Sequence, residues 1–113
     1  SKNQAIAWLR VGGEWVPHYT EGLTASNSTT AGFTATVGET PRRTVLTGTI
    51  SADQTISLSN TSAYQGATFK FTRKGAGAGN WIIGSGLKTL TPNTWATVEY
   101  DGTAWVLTEA GTL

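Results

Sequence analysis

The sequence predicts an all-β chain, folded as a two-sheet antiparallel β-sandwich of jelly-roll type, preceded by a short β-hairpin. Three observations predict it. Short stretches of alternating apolar and polar residues recur along the chain, separated by clusters of Gly, Ser, Thr, Asn and Asp. Good helix formers never run together for three turns, whereas Gly and Thr are abundant. An Asp-Gly pair at 101–102 lies between two alternating runs, and that dipeptide favours the positive φ angles of a tight hairpin turn.

Taken in order, residues 6–19 read as a hairpin that turns at Gly12-Gly13. A two-residue turn pairs Val11 with Glu14 and Leu9 with Val16, and leaves Trp8, Arg10, Trp15 and Pro17 on the opposite face. Pro17 has no N–H for a ladder, so its strand is an edge or ends there. Thr20 to Ala31 is polar and lacks periodicity, which predicts a linker or a long surface loop. It separates a leading hairpin and connection, residues 1–22, from a sandwich module, residues 23–113.

Within the module, Phe33, Ala35 and Val37 alternate inward, followed by Leu46 and Ile50, then Ile56 and Leu58. Residues 65–74 alternate most cleanly, with Ala67, Phe69 and Phe71 inward and Thr68, Lys70 and Thr72 outward. Gly75 to Gly79 reads as a flexible hairpin connection. The strand after it, Asn80 to Gly84, is apolar on both faces through Trp81, Ile82 and Ile83, which predicts that both faces are covered. A short strand at 86–91 and a turn at 91–93 lead to the closing hairpin. There a two-residue turn at Asp101-Gly102 pairs Tyr100 with Thr103, Val98 with Trp105 and Ala96 with Leu107. Ala96, Val98, Tyr100, Trp105 and Leu107 then share the core face.

The 113 residues suit one principal domain. Charged residues make up 13% of the chain, against about 25% in an average domain, and the net charge is +1. No field of one sign is strong enough to steer nucleic acid or an anionic membrane surface. The chain has no cysteine, which removes disulfides and thiolate metal sites. No run of about 20 apolar residues is present to span a membrane, and no signal peptide is visible. With no methionine and Ser1 in first place, the chain is expected to be a piece of a longer polypeptide.

Reaction chemistry finds few residues to work with. His18 is the only histidine, and its place after Pro17 suits a surface or interface position better than a catalytic base. Glu99 and Asp101 are the closest acidic pair, but Asp101 already serves a turn. Gly75-Ala-Gly-Ala-Gly79 leads into a strand, whereas a phosphate-binding loop leads into a helix N-terminus. The expectation is therefore no catalytic residue, no metal and no cofactor in this chain. Binding chemistry is richer. Trp105 belongs to the core. The other four tryptophans read first as core or subunit-interface residues, and Lys70, Arg73 and Lys74 as a solvated strand face. The alternative is contact with sugars, an indole offering an apolar ring face and a cation meeting an acidic group. Candidate carbohydrate contacts are Trp81, Trp95, Lys70, Arg73 and Lys74. Candidate oligomer contacts are Trp8, Trp15, Trp81, Ile82 and Ile83.

Several segments in sequence carry a resemblance: Leu46-Thr-Gly-Thr-Ile-Ser-Ala-Asp53, Tyr64-Gln-Gly-Ala-Thr-Phe-Lys-Phe-Thr-Arg73, Gly75 to Gly79, Leu87-Lys-Thr-Leu90, and Tyr100-Asp-Gly-Thr-Ala-Trp-Val-Leu107. Over residues 44–113 the chain resembles the carboxy-terminal module of bacteriophage and prophage tailspike and tail-fibre proteins. The resemblance implies a homotrimeric sandwich at the tip of a spike, part of the extracellular virion tail. Its partners would be two further copies of itself and, in some members, bacterial surface polysaccharide. It also implies that any polysaccharide-cleaving activity belongs to an upstream domain. An autonomous carbohydrate-binding module is the alternative, and a depolymerase site the weaker one.

Overall fold

The computed structural model of the chain describes residues 24–113 throughout, together with the backbone of residues 8–11 and 14–17. The described residues are all β, with no helix. The strands are β1 (Trp8–Val11), β2 (Glu14–Pro17), β3 (Thr24–Asn27), β4 (Phe33–Ala35), β5 (Arg43–Leu46), β6 (Gln54–Leu58), β7 (Thr68–Arg73), β8 (Trp81–Ile83), β9 (Lys88–Leu90), β10 (Thr94–Tyr100) and β11 (Trp105–Thr112). β1 and β2 pair antiparallel with Val11 opposite Glu14 and Leu9 opposite Val16, the register expected of the leading hairpin. The side chains of Trp8 and Trp15, and all of His18, lie outside the described residues.

Two mixed sheets make up the rest. The larger has the order β11-β10-β7-β5-β3 and the smaller β4-β6-β8-β9. From β3 to β8 successive strands alternate between the sheets. Within each sheet, neighbours then run parallel: β3 with β5 and β5 with β7, β4 with β6 and β6 with β8. The chain therefore winds through three stacked coils, which replaces the antiparallel pairing expected from the sequence. Alternation of side chains decides which face is buried and is silent about the direction of the neighbouring strand. After β8 the chain reverses, and β9, β10 and β11 close the stack with antiparallel pairs.

β3 lies where a linker was expected. Thr-Ala-Ser-Asn has no apolar period for a reader to find, and its backbone ladder to β5 holds it instead, with Thr24 opposite Arg43 and Asn27 opposite Leu46. Asn27 extends the contact by accepting the Thr47 N–H on its carbonyl at 2.9 Å.

The second and third coils stay 27 residues apart across both sheets, with Arg43 opposite Lys70 and Ile56 opposite Ile83. Their shared corner explains the glycine run. Residues 75–79 lie directly on residues 48–52, joined by Ile50 N–H donating to Ala76 O at 3.1 Å and Gly79 N–H donating to Ile50 O at 3.1 Å. A Cβ at Gly75, Gly77 or Gly79 would overlap the carbonyl oxygen of Gly48, Ile50 or Ala52. The expected flexible hairpin connection is thus a backbone-on-backbone corner linking strands of different sheets.

One core fills the space between the sheets. Ala67, Phe69 and Phe71 meet Ile56, Trp81, Ile83 and Leu90, with Leu46, Ala96, Val98 and Trp105 around them. Phe69 stacks on both Phe71 and Trp105, at centroid distances of 5.9 and 5.4 Å. The inward residues read from β4 to β7 are buried or half-buried, as the alternation requires.

The closing hairpin differs from expectation by two residues. Tyr100 faces Trp105 and Val98 faces Leu107, so the loop comprises Asp101, Gly102, Thr103 and Ala104. The Asp101 carboxylate accepts the N–H groups of Thr103 and Ala104, both at 2.8 Å, and that wraps the longer loop. A two-residue shift preserves parity, so Val98 and Trp105 remain in the core. Leu107 does not. It is 38% exposed, on the edge strand of a five-stranded sheet whose partner has four strands.

Candidate functional site

The outer face of the larger sheet carries the binding residues that the sequence singled out. On β7 the buried Phe69, Phe71 and Arg73 alternate with half-buried Thr68, Lys70 and Thr72. On β10, Ala96 and Val98 point inward while Trp95, Thr97 and Glu99 take the outer face. The register sets Trp95 between Thr72 and Gly111, and Lys70 between Arg43 and Thr97. A row of polar and charged positions thus crosses the sheet, from Thr24 through Arg43, Lys70 and Thr97 to Glu109.

Trp95 and Lys70 meet on this face. The Lys70 Nζ lies 4.7 Å from the indole centroid, a cation–π distance. The indole rests on Gly111, where a Cβ would come within 2.7 Å of Nε1 and 2.8 Å of Cζ2. Glycine there leaves room for the ring to lie close to the sheet. The pair offers an apolar ring and a cation side by side, which suits an acidic sugar. Arg43 and Arg42 flank it, donating to Thr24 Oγ1 at 2.8 Å and to Thr68 Oγ1 at 2.7 Å.

Other candidates fall elsewhere. Trp81 has no exposed surface; it packs edge-on against Phe33 at 5.8 Å, and its indole N–H has no partner. It cannot serve as a platform for a ring, and no partner chain can touch it. Ile83 is likewise buried, which leaves Ile82, half-buried, as the only residue of that strand on the other face. The core thus covers one of the two faces expected to be covered, and Ile82 on the other face is half-buried.

Arg73 is also interior, with no exposed surface. Its guanidinium donates to the carbonyls of Gly75, Ala76, Gly77 and Leu90 at 3.1, 3.2, 3.3 and 2.9 Å, and to Asn80 Oδ1 at 3.4 Å. Burial holds its pKa below the usual arginine value. Five donors in a fixed fork match a turn of converging carbonyls, so this side chain clamps the corner of the third coil. Lys74, the next residue, is exposed beyond the end of β7. Of the five candidate sugar contacts, the fold therefore brings together Trp95 and Lys70.

Asp101 is committed to its loop. The amides of Ala104 and Thr103 hold its carboxyl below the usual carboxylate range. Among the described residues, no group of three His, Cys, Asp or Glu side chains is placed to hold a metal ion. Sequence reading missed one feature, a groove between the hairpin tip and the smaller sheet. Its lining comes from three separate segments, so no local motif marks it. No family model, curated protein or solved structure matches the chain significantly.

Proposed function

We propose that this chain is a non-enzymatic terminal module of a bacteriophage or prophage tailspike or tail fibre. It joins three copies of the polypeptide in register and holds the assembly against host surface polysaccharide, in the extracellular virion tail. In this reading the two sheets are the layers of a sandwich, and any polysaccharide-cleaving activity of the parent protein belongs to residues outside this chain.

The observation that carries the proposal is β11. This strand is eight residues long, forms the outer edge of the larger sheet and is exposed along most of its length. Val106, Leu107 and Leu113 are 37%, 38% and 60% exposed there or just beyond it. A long edge bearing apolar side chains is a template for pairing with another chain, and monomeric proteins usually blunt such edges. Light scattering at micromolar concentration tests the assembly. The expected species contains three chains of 11.9 kDa. Leu107→Lys should dissociate it and leave the β-type circular dichroism spectrum intact. A strictly monomeric parent chain contradicts the proposal.

A second reading, an autonomous carbohydrate-binding module, is favoured by the Trp95–Lys70 pair. It expects an acidic polysaccharide to bind the monomer and binding to be lost in Lys70→Ala without loss of fold.

A further inference from the structure

The groove lies at the end of the molecule where the closing hairpin meets the smaller sheet. It has a volume of about 430 Å³, within the range of about 300–1,000 Å³ usual for small-molecule sites. Leu58, Leu87 and the edge of Trp105 supply its apolar surface. Ser57, Asn60, Ser85 and Thr103 supply three hydroxyls and an amide. No ionisable side chain lines it.

Its walls are built before any ligand arrives. Trp105 is fixed by stacking on Phe69 and by its indole N–H, which donates to Ser59 O at 3.1 Å. The Asp101 carboxylate holds the Thr103 and Ala104 amides. The turn carrying Ser85 is tied back by Gly84 N–H donating to Ile56 O at 2.7 Å and Leu87 N–H donating to Ile83 O at 3.0 Å. Walls already ordered in the free protein reduce the entropy lost on binding.

We propose that this groove binds an uncharged sugar ring. Hydroxyl and amide groups around apolar surface match a pyranose, which has hydroxyls at its rim and an apolar C–H face. A charged ligand would find no counter-ion in the lining. A lipid tail fits less well, because it needs a lining without four polar side chains. The site is separate from the Trp95–Lys70 pair, which suits acidic sugars. It extends the attachment reading with a second ligand class, and light scattering and the following titration can fail independently.

The test follows the Trp105 indole N–H resonance of the isotope-labelled full chain, assigned with Trp105→Phe. N-acetylglucosamine and methyl glucoside are the neutral probes, glucuronic acid the charged one. The expected result is a saturable shift of the Trp105 signal with a neutral probe, none with glucuronic acid, and loss of the shift in Ser85→Tyr, which fills the groove. Asn60→Leu, with its circular dichroism unchanged, should weaken the same shift and guards against misfolding of the first variant. The proposal is overturned if neither neutral probe moves the signal, if glucuronic acid moves it equally, or if the shift survives both substitutions.

Discussion

Replacing Gly77 by alanine tests whether the coils stack through bare backbone. Two separate penalties meet at this position. Its φ is +111°, a conformation that L residues adopt at a cost of about 1–3 kcal/mol. Its new Cβ would also overlap the Ile50 carbonyl, and forcing atoms into a packed contact costs about 1–3 kcal/mol. The neighbourhood cannot easily yield, because Ile50 is bonded through both its N–H and its carbonyl to residues 76 and 79. The combined cost is about 2–6 kcal/mol, against a typical domain stability of about 5–15 kcal/mol. Two control substitutions separate the penalties. Gly86→Ala meets a φ of +103° in open space and pays only the backbone strain. Gly75→Ala has no positive φ and pays only for overlap with the Thr47–Gly48 backbone. Urea unfolding followed by tryptophan fluorescence, at one protein concentration, ranks the three. With a slope of about 1–3 kcal/mol per molar, Gly77→Ala should lower the midpoint by about 1 M or more and exceed both controls. A Gly77→Ala midpoint equal to that of Gly86→Ala refutes the stacked corner.

Other expectations follow from single side chains. Arg73→Met should cost on the order of 3 kcal/mol in the same assay, because several buried carbonyls lose their donor, and Arg73→Lys should not restore it, since one ammonium cannot span that fork. The Asp101 carboxyl titrates lower folded than unfolded, so its contribution is present above the ordinary value of about 4 and is lost as pH falls through the folded value. Asp101→Asn should therefore flatten the acid limb of stability against pH, and an unchanged limb would count against the loop geometry. Trp81→Ala should cost about 3–5 kcal/mol as a core cavity, measured by thermal unfolding, and a change near zero would restore it to the surface.

The strands were legible in the sequence where alternation was long enough. Phe69 and Phe71 between Thr68, Lys70 and Thr72 specify both a strand and its buried face, and the leading pair around Gly12-Gly13 specifies its register. What the chain does not spell out is neighbour direction. Parallel coils depend on Leu46 meeting Arg73 and Ile56 meeting Ile83, long-range partners that share little beyond Gly48 with Gly75 and Ile56 with Ile83. Polarity also misled. Arg73 beside Lys70 and Lys74 resembles one basic cluster, but its parity matches Phe69 and Phe71, and the carbonyls of the glycine corner make its burial tolerable. Trp81 begins a three-residue strand too short for its inner face to be recognised. Trp95 and Lys70 were legible as outward-facing because each stands on the outward parity of a long strand.

Antiparallel closure at one end gives the molecule a direction. At the β9–β11 end the outermost pairs of both sheets, β8 with β9 and β10 with β11, are antiparallel. At the opposite end both sheets stop at β3 and β4, consecutive strands of one winding that each pair in parallel on their inner side. A segment that repeats the same winding would engage both edges together, whereas a lone strand would engage one.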